Sequence, residues 1–203
     1  MAGYEPLSAQ DSSFVLWERR ETPMHVGAIA ILEAEPLRTE DGGVDADRIA
    51  KHVESRLHLL PRYRQRLAFT PLEGRPVWID DARFDLWHHL RRAALPRPGS
   101  EHELKQLVAR ILSERLDRDR PLWELWIIEG LEGDRCALFA KVHHCMVDGV
   151  AGMNLLTLLM SQRPDEGPAP ARPWRAEPPP AWSELALDES RRALASASAL
   201  LGG

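Results

Sequence analysis

Cysteine is nearly missing from this chain: Cys136 and Cys145 are the only two among 203 residues. That excludes a disulfide scaffold and fits a reducing cytosol. Long apolar runs are missing too. No stretch nears the roughly 18 consecutive apolar residues of a membrane span. The opening MAGYEPLSAQDSSF lacks a basic segment followed by an apolar run, so no signal peptide is expected. Positive charge is in deficit, with 26 Lys and Arg against 31 Asp and Glu for a net of −5. A nucleic-acid binder shows the opposite, a basic face. No Walker loop, GxGxxG or GxSxG occurs, which leaves phosphotransfer, dinucleotide and serine-hydrolase readings unsupported. What remains is a cytoplasmic globular chain of one large domain, or one and a fraction.

The residues present read as mixed α/β. Ser8 caps a helix over SAQDSSFVLWE, with Asp11 in the positive first turn. After Pro23, HVGAIAILEA is apolar on both alternations, the pattern of a strand buried on both faces. DADRIAKHVESRLHLL has helical spacing and stops at Pro61. YRQRLAF, PVWIDD and FDLWHHL read as strands, and Arg62, Arg64 and Arg66 would then share one face. Ser100 and Glu103 form a capping box ahead of Leu104, Leu107, Val108, Ile111 and Leu112. LWELWIIEGL and CALFAKV, joined by Glu132-Gly133-Asp134, read as a hairpin. GVAGMNLLTLLM reads as a buried helix. Prolines 164, 168, 170, 173, 178, 179 and 180 then mark a semi-rigid spacer rather than a recognition peptide, before a last helix over 182–201.

The stretch KVHHCMVDG, 141–149, concentrates the chemistry. In extended backbone, neighbouring side chains point to opposite faces, so His143 and His144 cannot both enter one pocket. One projects into a cleft and the other is locked in the fold. An imidazole titrating near neutrality is a fit general base. Asp148 is placed to hold that ring, or to fix the loop through an arginine, and Gly149 permits a tight turn. Two other readings stand beside it. Adjacent histidines are often structural, and His and Asp are metal ligands. Ligand pairs on one element favour i,i+4 or i,i+2 spacing, which HH does not offer, so no metal is expected. His88-His89 is a second such pair with no Asp-Gly after it, and reads as structural or exposed. Trp123 and Trp126 read as core or tunnel-wall packing.

At HHCMVDG the chain resembles the HHxxxDG signature of the CoA-dependent acyltransferase superfamily. PLSAQDSSFVLWERRETPMHVGAIAILE, PRYRQRL and DRDRPLWELWIIEGL, the last with Pro121, Leu122 and Trp123, are similar to bacterial wax ester synthase/acyl-CoA:diacylglycerol acyltransferases. The likeness runs from about residue 4 to 185, with four segments in the right order. It implies a chloramphenicol-acetyltransferase-like half, a mixed sheet flanked by helices, facing a second half across a tunnel. Residues 1–163 would be the N-terminal acyltransferase domain, 164–182 a linker and 183–203 the start of a linker helix. By this resemblance His144 is the general base, His143 and Asp148 shape the loop with Gly149, and Arg64 is the salt-bridge partner of Asp148. Pro121, Leu122 and Trp123 fall in the tunnel or substrate region. Acyl-CoA is a substrate, no cofactor is implied, and the acceptor is a long-chain alcohol or diacylglycerol.

The family runs to about twice this length, so the facing half would come in cis or in trans. Lipid products suggest peripheral membrane or lipid-droplet contact, although no clear amphipathic anchor is visible. Two further readings remain. One is a condensation-type acyltransferase, against which the PMHVG and PLW stretches speak. The other is a non-catalytic half that binds lipid or a partner.

Overall fold

Local capping sets the start of each early helix. A computed structural model of the protein describes residues 3–147 and 170–201. In α1 (Ala9–Trp17) Ser8 accepts the Asp11 N–H at 3.0 Å. In α2 (Ala46–Arg56) Asp45 accepts the Arg48 N–H at 2.9 Å. The capping box of α4 (Glu101–Ser113) forms as its sequence predicts, with Glu103 accepting the Ser100 N–H at 2.8 Å. Each cap satisfies a donor that the first helical turn leaves free, an effect of about 1 kcal/mol.

Two sheets carry the described residues. The smaller has the order β1-β4-β3, from β1 (Glu5–Pro6), β3 (Gln65–Phe69) and β4 (Pro76–Asp80), all antiparallel. The larger has the order β2-β7-β6-β5, from β2 (His25–Glu33), β5 (Leu90–Ala94), β6 (Trp123–Leu131) and β7 (Arg135–His143). Within it β6 and β7 form the predicted antiparallel hairpin, while β5 runs parallel to β6. The sheet is therefore mixed. Its two faces feed separate cores. Cys136, Leu138, Ala140 and Val142 of β7 join Val15, Val53, Leu57 and Trp123 on one side. Ala137 and Phe139 meet Leu104 and Ile111 of α4 on the other. β7 is consequently buried over nearly its whole length.

Three sequence expectations change. FDLWHHL is not a strand. Asp85 accepts the Trp87 N–H at 3.0 Å and starts a short helix, α3 (Leu86–His89), before β5 begins at Leu90. This side-chain bond competes locally with extended backbone. Arg62 and Arg64 lie in a 3-10 turn, Pro61–Arg64, so the three arginines do not line one strand face. β2 is not buried on both faces either. It forms the sheet edge, and Val26, Ile29 and Ile31 remain 41%, 41% and 40% exposed. Its apolar alternation reads as buried, but the described residues cover only its β7 side and part of one face. Gly27 leaves no room for a side chain against Phe139 and α4. A Cβ there would lie 2.7 Å from the Phe139 ring and 3.1 Å from Leu112.

The helix expected over GVAGMNLLTLLM lies outside the described residues. From 170 to 181 the proline-rich chain has no regular secondary structure, and its Trp174 ring meets Phe84 edge-on at 6.2 Å. Helix α5 (Trp182–Leu201) docks through Glu189, whose carboxylate accepts the Leu72 and Glu73 N–H groups at 2.9 Å each. Among the described residues no helix is long and apolar enough to cross a membrane.

Candidate active site

β7 delivers the two histidines to different environments. It ends at His143 in extended backbone, and His144–Met146 then form a 3-10 turn. His143, the last strand residue, lies in the core at 1% exposure, and His144, the first residue of the turn, is partly exposed. Both backbone amides are pinned by distant segments. The His143 N–H donates to the Leu122 carbonyl at 2.9 Å, and the His144 N–H to the Met24 carbonyl at 2.7 Å. The Trp123 indole N–H donates to the Tyr63 carbonyl at 2.8 Å. The four segments singled out in the sequence thus meet at one point.

His144 stacks on Phe14 of α1, with ring centroids 3.9 Å apart and an interplanar angle of 26°. Its Nδ1 is buried and finds no hydrogen-bond partner among the described residues. Buried polar atoms are nearly always paired, and the Nε2 atoms of His25 and His143 share this lack of a partner among the described residues. His143 is differently placed. Its Nδ1 accepts the Cys145 N–H at 3.1 Å, and its Nε2 lies 3.5 Å from Glu18 Oε1. Burial pushes its pKa well below the usual imidazole value and outweighs the opposing pull of Glu18. It is a neutral ring. The Cys145 thiol beside it is pushed up by burial and stays protonated.

Glu18 gathers charges from three elements. Its side chain is buried, and Oε2 accepts Arg118 at 2.8 Å and Arg115 at 3.1 Å. Oε1 lies 3.4 Å from the Met24 N–H and 3.3 Å from His25 Nε2, where His25 is the register partner of His143 on β2. Burial raises the Glu18 pKa, but the Arg118 bond, His143, the Met24 N–H and Arg115 together hold it below the usual carboxylate range. Burial likewise lowers His25, against its bond to the Leu112 carbonyl at 3.1 Å. Sequence reading missed Glu18, His25 and Phe14 as site residues. Glu18 and its arginines are 97 and 100 positions apart, a separation no local pattern reveals.

Two expected site residues, Asp148 and Gly149, lie outside the described residues. Arg64 is buried, with its guanidinium 5.1 Å from the Trp174 ring and 5.9 Å from Phe84. Its Nε has no hydrogen-bond partner among the described residues, and burial lowers its pKa while Glu54 opposes. It borders a cavity of about 670 Å³ that also touches Glu54, Phe84 and Trp174 but neither motif histidine. Pro121, Leu122 and Trp123 are core residues, fully or nearly buried beneath the histidine pair. Among the described residues no group of three or more His, Cys, Asp or Glu is placed to hold a metal ion.

Comparison with known proteins identifies the family and the fold. The family described as wax ester synthase/diacylglycerol acyltransferase catalytic domain matches residues 7–203. The probable diacylglycerol O-acyltransferase tgs3 of Mycobacterium tuberculosis H37Rv is 41% identical over 183 residues, covering 89% of this chain and 65% of that protein. The probable diacylglycerol O-acyltransferase tgs1 of the same strain is 40% identical over 159 residues, 77% of this chain and 33% of that one. A solved wax ester synthase/diacylglycerol acyltransferase from Marinobacter aquaeolei VT8 superposes with a TM-score of 0.64 at 38% identity, over 83% of this chain and 42% of that chain. The first condensation domain of the calcium-dependent antibiotic synthetase shares the fold, with a TM-score of 0.59 at 18% identity over 77% and 37%. In every case the chain is shorter than the protein it matches. With its mixed sheet and HHxxxDG sequence, the chain belongs to the wax ester synthase/diacylglycerol acyltransferase family.

Proposed function

We propose that this chain is the histidine-bearing part of an acyl-CoA-dependent O-acyltransferase that makes wax esters or triacylglycerols. The observation that carries the reading is His144 itself, a partly exposed imidazole held by the Met24 carbonyl and the Phe14 ring, with an Nδ1 unpartnered among the described residues. His144 takes the proton of an acceptor hydroxyl as its oxygen attacks the thioester carbonyl. The carbon–sulfur bond then breaks, and the departing thiolate recovers the proton from His144. The products are an ester and free CoA. The thioester is already activated, so no acyl-enzyme is required. The acceptor is a long-chain alcohol or diacylglycerol.

In this reading His143 and Asp148 shape the loop, Gly149 permits its turn, and Arg64 pairs with Asp148. The buried Arg64 side chain, without a partner for Nε among the described residues, supports that pairing. The exposed β2 edge supports a facing part, in cis or in trans, that closes a tunnel over the site. Enclosure and positioning of that kind lower barriers by about 7–11 kcal/mol. Residues 1–203 alone should therefore fold, turn over negligibly and self-associate. The 164–182 segment is a link rather than part of the site. Peripheral contact with a membrane or lipid droplet would bring the acceptor.

The test is ester formation from a long-chain acyl-CoA with a fatty alcohol or diacylglycerol, on the chain alone and with the facing part added. Turnover that appears only on reconstitution is expected. No ester from any acceptor in a folded, reconstituted preparation would favour the non-catalytic alternative, a half that binds lipid or a partner. Robust turnover by the verified monomer would overturn the two-part argument.

A further inference from the structure

Helix α1 and the residue after it reach the histidine pair twice. Phe14 covers the His144 ring, and Glu18, at the helix end, faces the other histidine. We propose that Glu18 is the positioning residue of the motif: its carboxylate selects the tautomer of His143, and through it the turn that presents His144. The importance of His144 rests on the acyltransferase reading; the tautomer argument stands on geometry alone.

A neutral imidazole has one N–H and one bare nitrogen. Nδ1 of His143 accepts the Cys145 N–H at 3.1 Å and faces the Cys145 thiol, a donor while protonated, at 3.0 Å, so it is the bare one. The proton must sit on Nε2, which faces Glu18 Oε1 at 3.5 Å, beyond good hydrogen-bond geometry, and has no other partner among the described residues. Glu18 is held ionised because Arg115 and Arg118 occupy its other oxygen. An ionised carboxylate only accepts, so it disfavours the tautomer with a lone pair on Nε2. That tautomer would also aim an N–H at the Cys145 N–H. The ring is thus bonded at Nδ1 and biased at Nε2 by the charge of the facing carboxylate. The Cys145 amide it receives belongs to the 3-10 turn that begins at His144. His25 Nε2 also lies 3.3 Å from this carboxylate oxygen, while its Nδ1 donates to the Leu112 carbonyl at 3.1 Å. The arginines come from the stretch after α4, so the carboxylate also fastens α1 against that element. Arg118 adds a bond to the Val15 carbonyl at 2.8 Å.

Nitrogen NMR of the histidine-labelled chain reads the tautomer directly. We expect His143 as a single form with Nε2 protonated and Nδ1 bare. Glu18→Gln keeps the size but must turn its amide oxygen to the arginines and its NH₂ to His143. The Nδ1-protonated form should then appear, and the Cys145 amide should exchange roughly tenfold faster or more as it loses its acceptor. Glu18→Asp keeps the charge and should restore the wild-type form. In a preparation that makes ester, Glu18→Gln should lower kcat by about 10²-fold with KM for acyl-CoA unchanged, the signature of a misplaced base. A wild-type His143 protonated on Nδ1, or a Glu18→Gln spectrum identical to wild type, overturns the proposal. If Glu18→Gln does not fold, the wild-type spectrum alone decides. Full activity of His144→Ala would sink the base reading and leave the tautomer result standing, so the two failures are distinguishable.

Discussion

The chain contains two adjacent histidine pairs, and they meet opposite fates within one fold. At His88-His89, His88 is exposed beside Asp85 at 2.9 Å, while His89 is buried and stacked on Trp123 at 4.5 Å and Phe84 at 5.3 Å. The Nδ1 of His89 donates to the Trp123 carbonyl at 2.9 Å. Its faces are packed and its donor is satisfied: this is a core residue. At His143-His144 the buried ring instead bonds a loop amide and faces a carboxylate at 3.5 Å, and each ring carries a buried nitrogen without a hydrogen-bond partner among the described residues. Both pairs touch the β6 start, through the Trp123 and Leu122 carbonyls. Residue type is shared. What separates a structural pair from a chemical one is whether every polar atom has been satisfied.

The sharpest way to break this contrast is to delete the outer ring of each pair. His144→Ala should remove turnover by ~10²–10⁴, the range of general-base catalysis, while His88→Ala leaves it unchanged in the same assay. Equal activity of both variants in folded protein would erase the distinction. Acidification probes the two inner rings. Burial lowers His89 to about 4, and it lowers His143 in the same direction. A depressed folded pKa means that the stability contributed is complete above the unfolded value near 6.5 and is lost as pH falls through the folded value. For His89 the full loss is on the order of 3 kcal/mol, so the urea midpoint should fall steadily between about pH 6.5 and 4. Replacing His89 with Phe should flatten part of that slope, and an unaltered slope would show that His89 is not the titrating group. Gly27→Ala, beneath α4, should cost about 1–3 kcal/mol by crowding Phe139, read from denaturant unfolding. A neutral result there would mean that Phe139 and Leu112 move aside easily. The smallest effect is expected for the stability of His88→Ala, within about 0.5 kcal/mol, because an exposed pair with Asp85 contributes little.

A second contrast, between strands, explains why the sequence was read correctly in one place and not in another. β7 and β2 carry similar apolar patterns, yet β7 is central and buried while β2 is an edge with 40–41% exposure at three large side chains. An apolar alternation reports what a strand is suited to face, not what covers it. The same limit applied at 84–90. The strand pattern of FDLWHHL was outweighed by one Asp85 side-chain bond to a backbone amide. Where the controlling interaction was short-range and strong, as in the Ser8 cap, the capping box and the 132–134 turn, pattern and structure coincide.

Sequence alone therefore determined the helix starts, the hairpin that carries the motif, and the fact that His143 and His144 must part company. Those outcomes depend on side-chain chemistry and strand alternation over a few residues. The tertiary structure decided which histidine is buried, because only the docking of Leu122 and Met24 carbonyls fixes where β7 ends relative to the core. It also decided that Glu18 belongs to the site. A carboxylate becomes a hub only when Arg115, Arg118, His25 and His143 arrive from separate elements, and bringing such distant charges together requires the folded sheet.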